Sequence, residues 1–221
     1  MQFDAENPKK EQLNTPSSQK KSYLIAKRIL DVTCALIGSI LLSPLLLVIA
    51  IVVKLDSPGP VIFKHKRVGQ YGETLYIYKF RTMFKNAQEM IKDFTPEQME
   101  EWLQNFKLEN DPRITRVGHF LRKSSMDELP QLLNILKGDL SVVGPRPVPQ
   151  DEVDLYGEDS EKFLSVKPGL TGYWQAYARS DCTYEIRREM ELYYVDHANF
   201  WWDLKIIFAT VGAVLTAKGA K

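Results

Sequence analysis

The sequence is poor in cysteine and nearly free of net charge. Its 221 residues include two cysteines, and 29 basic side chains are balanced by 28 acidic ones, which gives a formal net charge of +1. Cys34 and Cys182 lie far apart with no histidine pair beside them, which argues against a disulfide scaffold or zinc module and for a reducing compartment. A near-neutral chain also argues against nucleic acid as a partner.

Long hydrophobic stretches are scarce, with one exception. The mean hydropathy of −0.26 argues against a polytopic membrane protein. From Val32 to Val53, however, the chain runs for 22 residues without a charge, which as a helix matches the hydrocarbon thickness of a bilayer. We expect this segment to lie in lipid, and the alternative is a buried core helix. A cleaved signal peptide does not fit, because no small-residue cleavage site follows the segment.

Two features bear on how the apolar segment sits in the membrane. Four basic side chains lie within 20 residues on each side of it, so the positive-inside rule gives no preferred direction. Ser43-Pro44 lies at its midpoint, where proline removes one backbone hydrogen bond and favours a bend. The residues alone leave a re-entrant segment and a kinked spanning helix equally open.

The rest of the chain divides into shorter segments. Residues 1–22 are polar and aperiodic, and we expect a mobile tail. Two β-type stretches, VIFKHKRV and TLYIYKFRTM, flank GQYGE and predict a β-hairpin. Residues 85–106 have helical periodicity, and residues 167–172 are expected to form a turn. An acidic run covers residues 151–161.

The C-terminal stretch predicts an amphipathic helix over residues 200–216. Its apolar face consists of Phe200, Leu204, Ile207, Phe208, Val211 and Leu215. The uncharged part is too short to cross a bilayer, and with Trp201 and Trp202 at its start the helix is typical of one that lies in the headgroup layer. The alternative is a helix that closes the core of the soluble part.

Residues suited to phosphate chemistry concentrate between positions 111 and 147. The acid pair Asp127-Glu128 lies beside arginines and before a helix start at Pro130-Gln131-Leu132, which suits a phosphate or pyrophosphate with a bound divalent cation. These surroundings are expected to lower the pKa of Asp127 and keep it available as an oxygen nucleophile. The alternative is a capping box, because Ser125 and Glu128 have the spacing of one.

A second motif in this region is Gly144-Pro145-Arg146-Pro147. Two prolines fix the backbone on either side of the arginine, which suits a guanidinium that must meet a phosphate or a base. The alternative is a rigid turn in which the arginine is incidental.

Taken in order, these segments resemble the bacterial sugar transferase family, the monotopic phosphoglycosyl transferases. The matching blocks are KRILD, the apolar segment with its Ser-Pro pair, YKFRTM, FLRKSSMDELPQLLNILKGDLSVVGPRP, KPGLTGYWQ and YYVDHANFWWDLKIIFAT. The resemblance implies a mainly helical α+β fold. It would contain a re-entrant membrane helix over residues 23–56, broken at Ser43 and Pro44, then a short β-hairpin within a cytoplasmic catalytic domain over residues 57–221 with interfacial helices.

The implied activity is transfer of a sugar 1-phosphate from a nucleotide sugar, expected to be a UDP sugar, to polyprenyl phosphate such as undecaprenyl phosphate, in exopolysaccharide or other glycoconjugate assembly. Asp127 would form a covalent phosphosugar, and Glu128 would hold Mg²⁺. Lys79 and Arg122 would support the charge of the pair. The substrate-binding candidates are Gln131, Pro145, Arg146, Pro147 and Arg179.

The resemblance also implies a location at the bacterial inner membrane, with the site on the cytoplasmic face and membrane lipids around the helix. A homo-oligomer is left open, and the chain is expected to correspond to the minimal catalytic unit. The insert at residues 84–110 and the loop at residues 178–182 receive no catalytic role. Two other functions remain open, a membrane hydrolase of pyrophosphate substrates and a non-catalytic anchor.

Overall fold

A computed structural model describes residues 21–105, 108–178 and 182–215, and within these ranges the chain is mainly helical. The helices are α1 (Lys21–Asp56), α2 (Pro96–Asn105), α3 (Arg116–Lys123), α4 (Leu132–Lys137), α5 (Gln150–Asp154), α6 (Ser160–Leu164), α7 (Tyr173–Tyr177), α8 (Tyr184–His197) and α9 (Phe200–Leu215). The strands are β1 (Ile62–Val68), β2 (Thr74–Phe80), β3 (Ser141–Val143) and β4 (Gly169–Thr171). The mainly helical class and the hairpin β1-β2 are confirmed.

The chain divides into two compact units. Among the described residues, the first unit contains positions 21–40, 65–77 and those from 131 onward, and the second contains positions 41–64 and 78–130. The expected tail falls mostly outside the described residues, since α1 already begins at Lys21. Arg179 lies outside them as well.

The predicted apolar segment forms α1, a single helix of 36 residues with Pro44 inside it. The helix continues through Ser43-Pro44 because removing one N–H donor leaves the helical bonds on both sides intact, and the re-entrant bend at this pair stays a prediction. By length and composition α1 could cross a membrane, and 11% of its most apolar stretch is buried within the structure. A core helix would be mostly buried, so this exposure favours contact with lipid.

In the first unit, Lys27 binds the start of α1 to α9 and β3. Its Nζ donates to Oδ2 of Asp203 and to the carbonyl of Val143, both at 2.9 Å. Asp203 is fully buried, and its Oδ1 accepts from the Tyr194 hydroxyl at 2.7 Å. A buried charge is tolerated when it is paired and hydrogen-bonded, so this cluster fixes the first turns of α1 on the first unit.

Two further charged side chains of α1 hold the same unit. Arg28 donates to the carbonyls of Ile135 and Leu136 at 2.7 and 2.8 Å, in the last turn of α4, where a cation is favoured. Asp31 is buried and accepts from the backbone N–H of Val142 at 2.8 Å. The KRILD block is thus the part of the apolar helix that fastens it to this unit.

The first unit also contains a two-stranded parallel sheet. Strand β3 pairs with β4, with Ser141 opposite Gly169 and Val143 opposite Thr171. The backbones approach so closely here that a Cβ on Gly169 would collide with Gly144. Part of the segment expected to be a turn is therefore strand β4, because the β-branched residues of β3 supply a partner that the turn signals did not reveal.

In the second unit, Arg81 closes the C-terminal end of α1. Its guanidinium donates to the carbonyls of Val53 at 3.1 Å, Ser57 at 2.5 Å and Pro60 at 2.6 Å. These groups include acceptors that the last turn of a helix leaves without partners, and a cation is favoured there. The residue is 7% exposed, so its hydrogen bonds are largely shielded from water.

The core of the second unit lies between α1, β2 and α3. Ile49 and Val53 of α1 pack with Phe80 of β2 and Leu121 of α3, and all four are buried. Packing of this kind fixes where β2 ends relative to α3.

The insert contains two short helices rather than the one predicted over residues 85–106. A 3₁₀ helix covers Glu89–Asp93, and α2 begins at Pro96. Between them Thr95 and Gln98 form a reciprocal capping box, with N–H to side-chain distances of 3.0 and 3.3 Å. The prediction was wrong because Thr95-Pro96 starts a new helix: proline is favoured at the first helical position and threonine at the cap.

Helix α9 combines features of both interpretations of the C-terminal stretch. Asp203 and Ile206 are fully buried in the first unit, so one face closes its core. Trp201, Phe208 and Val211 are 72%, 73% and 51% exposed. Exposed aromatic and aliphatic side chains on one helix are typical of a membrane-interface element.

Replacing Arg81 with alanine is expected to lower the free energy of unfolding by about 3 kcal/mol, because several buried carbonyls lose a charged donor. In a chain of this size the unfolding temperature should fall by roughly 6–12 °C. Thermal unfolding of the detergent-solubilised protein measures this. Arg116→Ala removes an exposed arginine of α3 and is the control; equal shifts for the two variants would contradict the capping role.

Candidate active site

The acid pair Asp127-Glu128 lies in the second unit, in the first turn of a 3₁₀ helix over Met126–Gln131. Met126 and Leu129 pack against the core of this unit. Residues three apart eclipse one another in a 3₁₀ helix, so these two share the core-facing side. The two acids therefore lie on other sides of the same turn, and Asp127 is 8% exposed.

Lys79 of β2 bridges the two carboxylates. Its Nζ lies 2.6 Å from Oε1 of Glu128 and 3.9 Å from Oδ2 of Asp127. The predicted members Lys79, Asp127 and Glu128 are thus brought together within one unit. A cation between adjacent acids offsets their mutual repulsion, which permits the pair to lie at a sheltered position.

The pKa of Asp127 shifts in the direction opposite to the one expected. Burial raises the pKa of this carboxyl above its usual value, and the charge of Glu128 adds to the rise. Lys79 and Arg122 lower the pKa, but their effect is outweighed. The expectation of a lowered pKa was wrong because it counted the basic neighbours and not the loss of hydration.

The capping-box interpretation of Ser125 and Glu128 is not supported by the geometry. An N-cap residue is extended and accepts through its side chain, whereas Ser125 has a φ of +56° and accepts from the N–H of Glu128 through its backbone carbonyl at 3.3 Å. The carboxylate of Glu128 faces Lys79. The carboxylate of Glu128 is therefore paired with a lysine and does not cap a helix.

Arg122, at the end of α3, is the fourth predicted catalytic residue in this unit. Its charge acts on Asp127. Its Nε donates to Oγ1 of Thr82 at 2.9 Å. Sequence reasoning did not single out Thr82, although it lies in the YKFRTM block directly after Arg81.

Asp127 and Glu128 could supply only part of the coordination shell of a magnesium ion. In the described ranges no group of three or more carboxylate, histidine or cysteine side chains could hold a metal. Mg²⁺ is commonly bound through one or two carboxylates, with substrate phosphates and waters completing the shell. Asp127 and Glu128 meet that requirement once a phosphorylated substrate is present.

The other predicted substrate residues lie in the first unit. Pro145 and Pro147 are buried, and Arg146 is half-buried between them. The Pro145 carbonyl accepts from the N–H of Gly169 at 2.8 Å. Each proline has its own φ fixed by its ring, and the bond to Gly169 holds the backbone directly before Arg146. Gln131 is 2% exposed.

A buried carboxylate that sequence reasoning missed holds the same loop. Glu191 of α8 is 1% exposed, and its Oε1 accepts from the backbone N–H of Arg146 at 3.0 Å and from Nε1 of Trp174 at 2.8 Å. The Tyr156 hydroxyl donates to the other oxygen. Burial raises the pKa of Glu191. Its position four residues before Val195, on the same face of a helix, could have indicated that Glu191 is buried, but not which groups it contacts.

Comparison with known proteins identifies the family of the chain. The model of the family described as bacterial sugar transferase matches residues 22–217. The chain belongs to the bacterial sugar transferase family. Family membership confirms the resemblance drawn from the sequence blocks and covers both the apolar helix and the acid pair.

The chain spans less than half the length of two of the relatives below and most of the length of the third. It is 45% identical over 204 residues to the undecaprenyl-phosphate galactose phosphotransferase of Salmonella typhimurium, covering 91% of the chain and 43% of that protein. It is 44% identical to the exopolysaccharide production protein ExoY of Sinorhizobium fredii, covering 89% and 88%. A UDP-N-acetylgalactosamine-undecaprenyl-phosphate N-acetylgalactosaminephosphotransferase of Aeromonas hydrophila is 38% identical, covering 90% and 46%.

Replacing Glu191 with alanine is expected to lower the free energy of unfolding by about 3–5 kcal/mol, because buried donors are left without an acceptor. Glu191→Gln keeps an acceptor oxygen and should cost about 1 kcal/mol. Glu189→Ala, an exposed acid of the same helix, is the control and should shift stability by less than about 0.5 kcal/mol. Thermal unfolding compares the three, and an unchanged Glu191→Ala would contradict the bracing role.

Proposed function

We propose that this sugar transferase moves a sugar 1-phosphate from a nucleotide sugar, with UDP as the nucleotide, to a polyprenyl phosphate such as undecaprenyl phosphate. The observation that carries the proposal is the sheltered Asp127, with Lys79 between it and Glu128, in a chain matched by the family model. The names of the relatives support the acceptor and the type of reaction. The product would enter exopolysaccharide or other glycoconjugate assembly.

The reaction has two displacement steps. A carboxylate oxygen of Asp127 forms a bond to the β-phosphorus of the donor, and the bond from that phosphorus to the bridging oxygen breaks, releasing the nucleoside monophosphate. An oxygen of the polyprenyl phosphate then bonds to the same phosphorus, and Asp127 leaves as a carboxylate. Two displacements through a covalent intermediate replace one direct transfer between two anionic substrates.

The surroundings of Asp127 favour this chemistry. A partly desolvated carboxylate is a stronger nucleophile than one surrounded by water. Lys79 keeps the adjacent acid paired, so Glu128 does not add its full charge to the repulsion of an incoming diphosphate. Arg122 supplies a second cation whose charge acts on Asp127.

Mg²⁺ fits this proposal as a cofactor held by Glu128, with Asp127 beside it. It would neutralise diphosphate charge during the displacement. Lys79, Arg122, Asp127 and Glu128 have a formal charge that sums to zero, so these side chains alone do not offset the charge of a diphosphate.

Arg146 is proposed to contact the nucleotide or its phosphate. Its backbone is held by Glu191 and the two prolines, and a guanidinium on a fixed backbone loses little conformational entropy on binding a phosphate. Pro145, Pro147 and Gln131 would shape the same substrate surface.

Helices α1 and α9 support a location at the membrane. We propose that α1 enters the inner membrane and returns to the same face with a bend at Pro44, and that the exposed residues of α9 lie in the headgroup layer on the cytoplasmic side. This arrangement would let a long prenyl chain remain in lipid while its phosphate reaches the acid pair. It also agrees with the equal numbers of basic residues that flank the apolar segment.

Replacing Asp127 with asparagine removes the nucleophilic oxygen and is expected to lower turnover at least about 10³-fold. Intact-mass spectrometry of the wild type incubated with UDP-galactose, or with another UDP sugar on which it is active, should show the added mass of one phosphosugar, located on Asp127. The variant should show none. Asp93→Asn changes an exposed aspartate of the insert and should keep both activity and adduct.

Two results would overturn this mechanism. One is an adduct on a different residue, and the other is full turnover in the Asp127→Asn variant. Release of more than one equivalent of nucleoside monophosphate without polyprenyl phosphate would identify a hydrolase that uses the same acid pair.

Tags at the N-terminus and after Gly72 are expected to be accessible from the same, cytoplasmic side of the membrane. Gly72 lies in the exposed turn of the hairpin, where an added side chain would meet open space. Protease or thiol-reagent accessibility in right-side-out and inverted vesicles measures this. Opposite accessibility of the two tags would show that α1 crosses the bilayer.

A further inference from the structure

We propose that Thr82 is a positioning residue that holds the Arg122 guanidinium beside Asp127. The inference rests on the proposed function, because it concerns the charge support that Arg122 gives to phosphoryl transfer at Asp127. All three residues lie in the second unit.

Thr82 is bound to α3 through both its side chain and its backbone. Its Oγ1 accepts from Nε of Arg122 at 2.9 Å, near the end of the helix. Its carbonyl accepts from the N–H of Thr115 at 3.0 Å, at the cap where the helix begins. Thr82 is 6% exposed. One buried residue therefore fixes both the start of α3 and the direction of the arginine at its end.

Gly118 makes this double contact possible. A Cβ at this position would collide with the Thr82 carbonyl oxygen, so α3 lies against the Thr82 backbone only because position 118 has no side chain. Gly118 lies one turn before Arg122 on the same helix face, and long helical side chains point toward the N-terminus over that turn. The bare surface of Gly118 thus leaves room for Arg122 to reach back to Thr82.

The hydrogen bond from Nε leaves the outer edge of Arg122 open for a ligand. Within the described part of the chain, the Arg122 side chain donates its hydrogen bond to Thr82. Nε is bound to a neutral hydroxyl, so the guanidinium keeps its charge, and its two terminal nitrogens can form a bidentate pair with a phosphate. Arg122 as a whole is exposed, while partial burial of its guanidinium lowers its pKa from the usual value.

A purely structural role for Thr82 makes a different prediction. If Thr82 only joins α3 to β2, its loss lowers stability, and any effect on the reaction is independent of the side chain at position 122. If Thr82 acts through Arg122, the two substitutions are coupled, and the second adds little after the first.

The test uses Thr82→Val, which keeps the shape and removes the acceptor, and Thr82→Ser, which keeps the hydroxyl. The full chain is incubated with UDP-galactose, or with another UDP sugar on which the wild type forms the covalent adduct, and adduct formation is followed in a single turnover. Thr82→Val should slow it about tenfold, the effect of one lost orienting hydrogen bond. Thr82→Ser should stay within about twofold of wild type. Thr74→Val changes an exposed threonine of β2 and is the control.

The decisive comparison is a double-mutant cycle with Arg122→Ala. In that background Thr82→Val should slow adduct formation by less than about twofold. A further tenfold loss there, or equal losses for Thr82→Val and Thr82→Ser, would overturn the positioning role. Thr82→Ala replaces Thr82→Val, with the same expected coupling, if the valine variant does not fold. Absence of any adduct in the wild type would instead overturn the proposed function.

Discussion

The hydrogen bonds between Arg81 and the end of α1 are the interaction on which the second unit depends. A long apolar helix leaves carbonyl groups without partners at its C-terminal end. Arg81 satisfies three carbonyls in this region, at Val53, Ser57 and Pro60. Because Arg81 directly follows β2, the end of the apolar helix determines where that strand stops.

Four consecutive residues connect the end of α1 with the acid pair Asp127-Glu128. Lys79 pairs with the acids, Phe80 packs in the core with α1, Arg81 caps α1, and Thr82 binds Arg122. These four side chains contact different neighbours, so one short segment touches both the apolar helix and the residues around the acid pair. Catalytic geometry and attachment of the membrane helix are therefore properties of the same few residues.

How far the sequence predicts the structure depends on whether a feature is local. The apolar helix, the hairpin and the proximity of Lys79 and Arg122 to the acid pair followed from length, periodicity and the resemblance. The continuity of the helix at Pro44 was left open, because local propensity does not show how far the neighbouring hydrogen bonds compensate for one missing N–H. The start of a new helix at Thr95 has the sequence signal of a capping box, but it lies within a longer periodic pattern that favours a single helix. The bracing by Glu191 needs four elements to meet, which no local pattern specifies.

Burial raises the pKa of Asp127 more than its basic neighbours lower it. Burial requires charges to be compensated, and Lys27 with Asp203, Lys79 with Glu128, and Arg113 with Asp111 all form such pairs. A cation that is paired with a carboxylate has part of its charge offset locally, as Lys79 has beside Glu128. Arg122 differs because its recorded acceptor, Thr82, is neutral. A cation held by a neutral group keeps its charge for an incoming anion, which is why the orientation of Arg122 matters more to the proposed reaction than the number of basic residues around the acid pair.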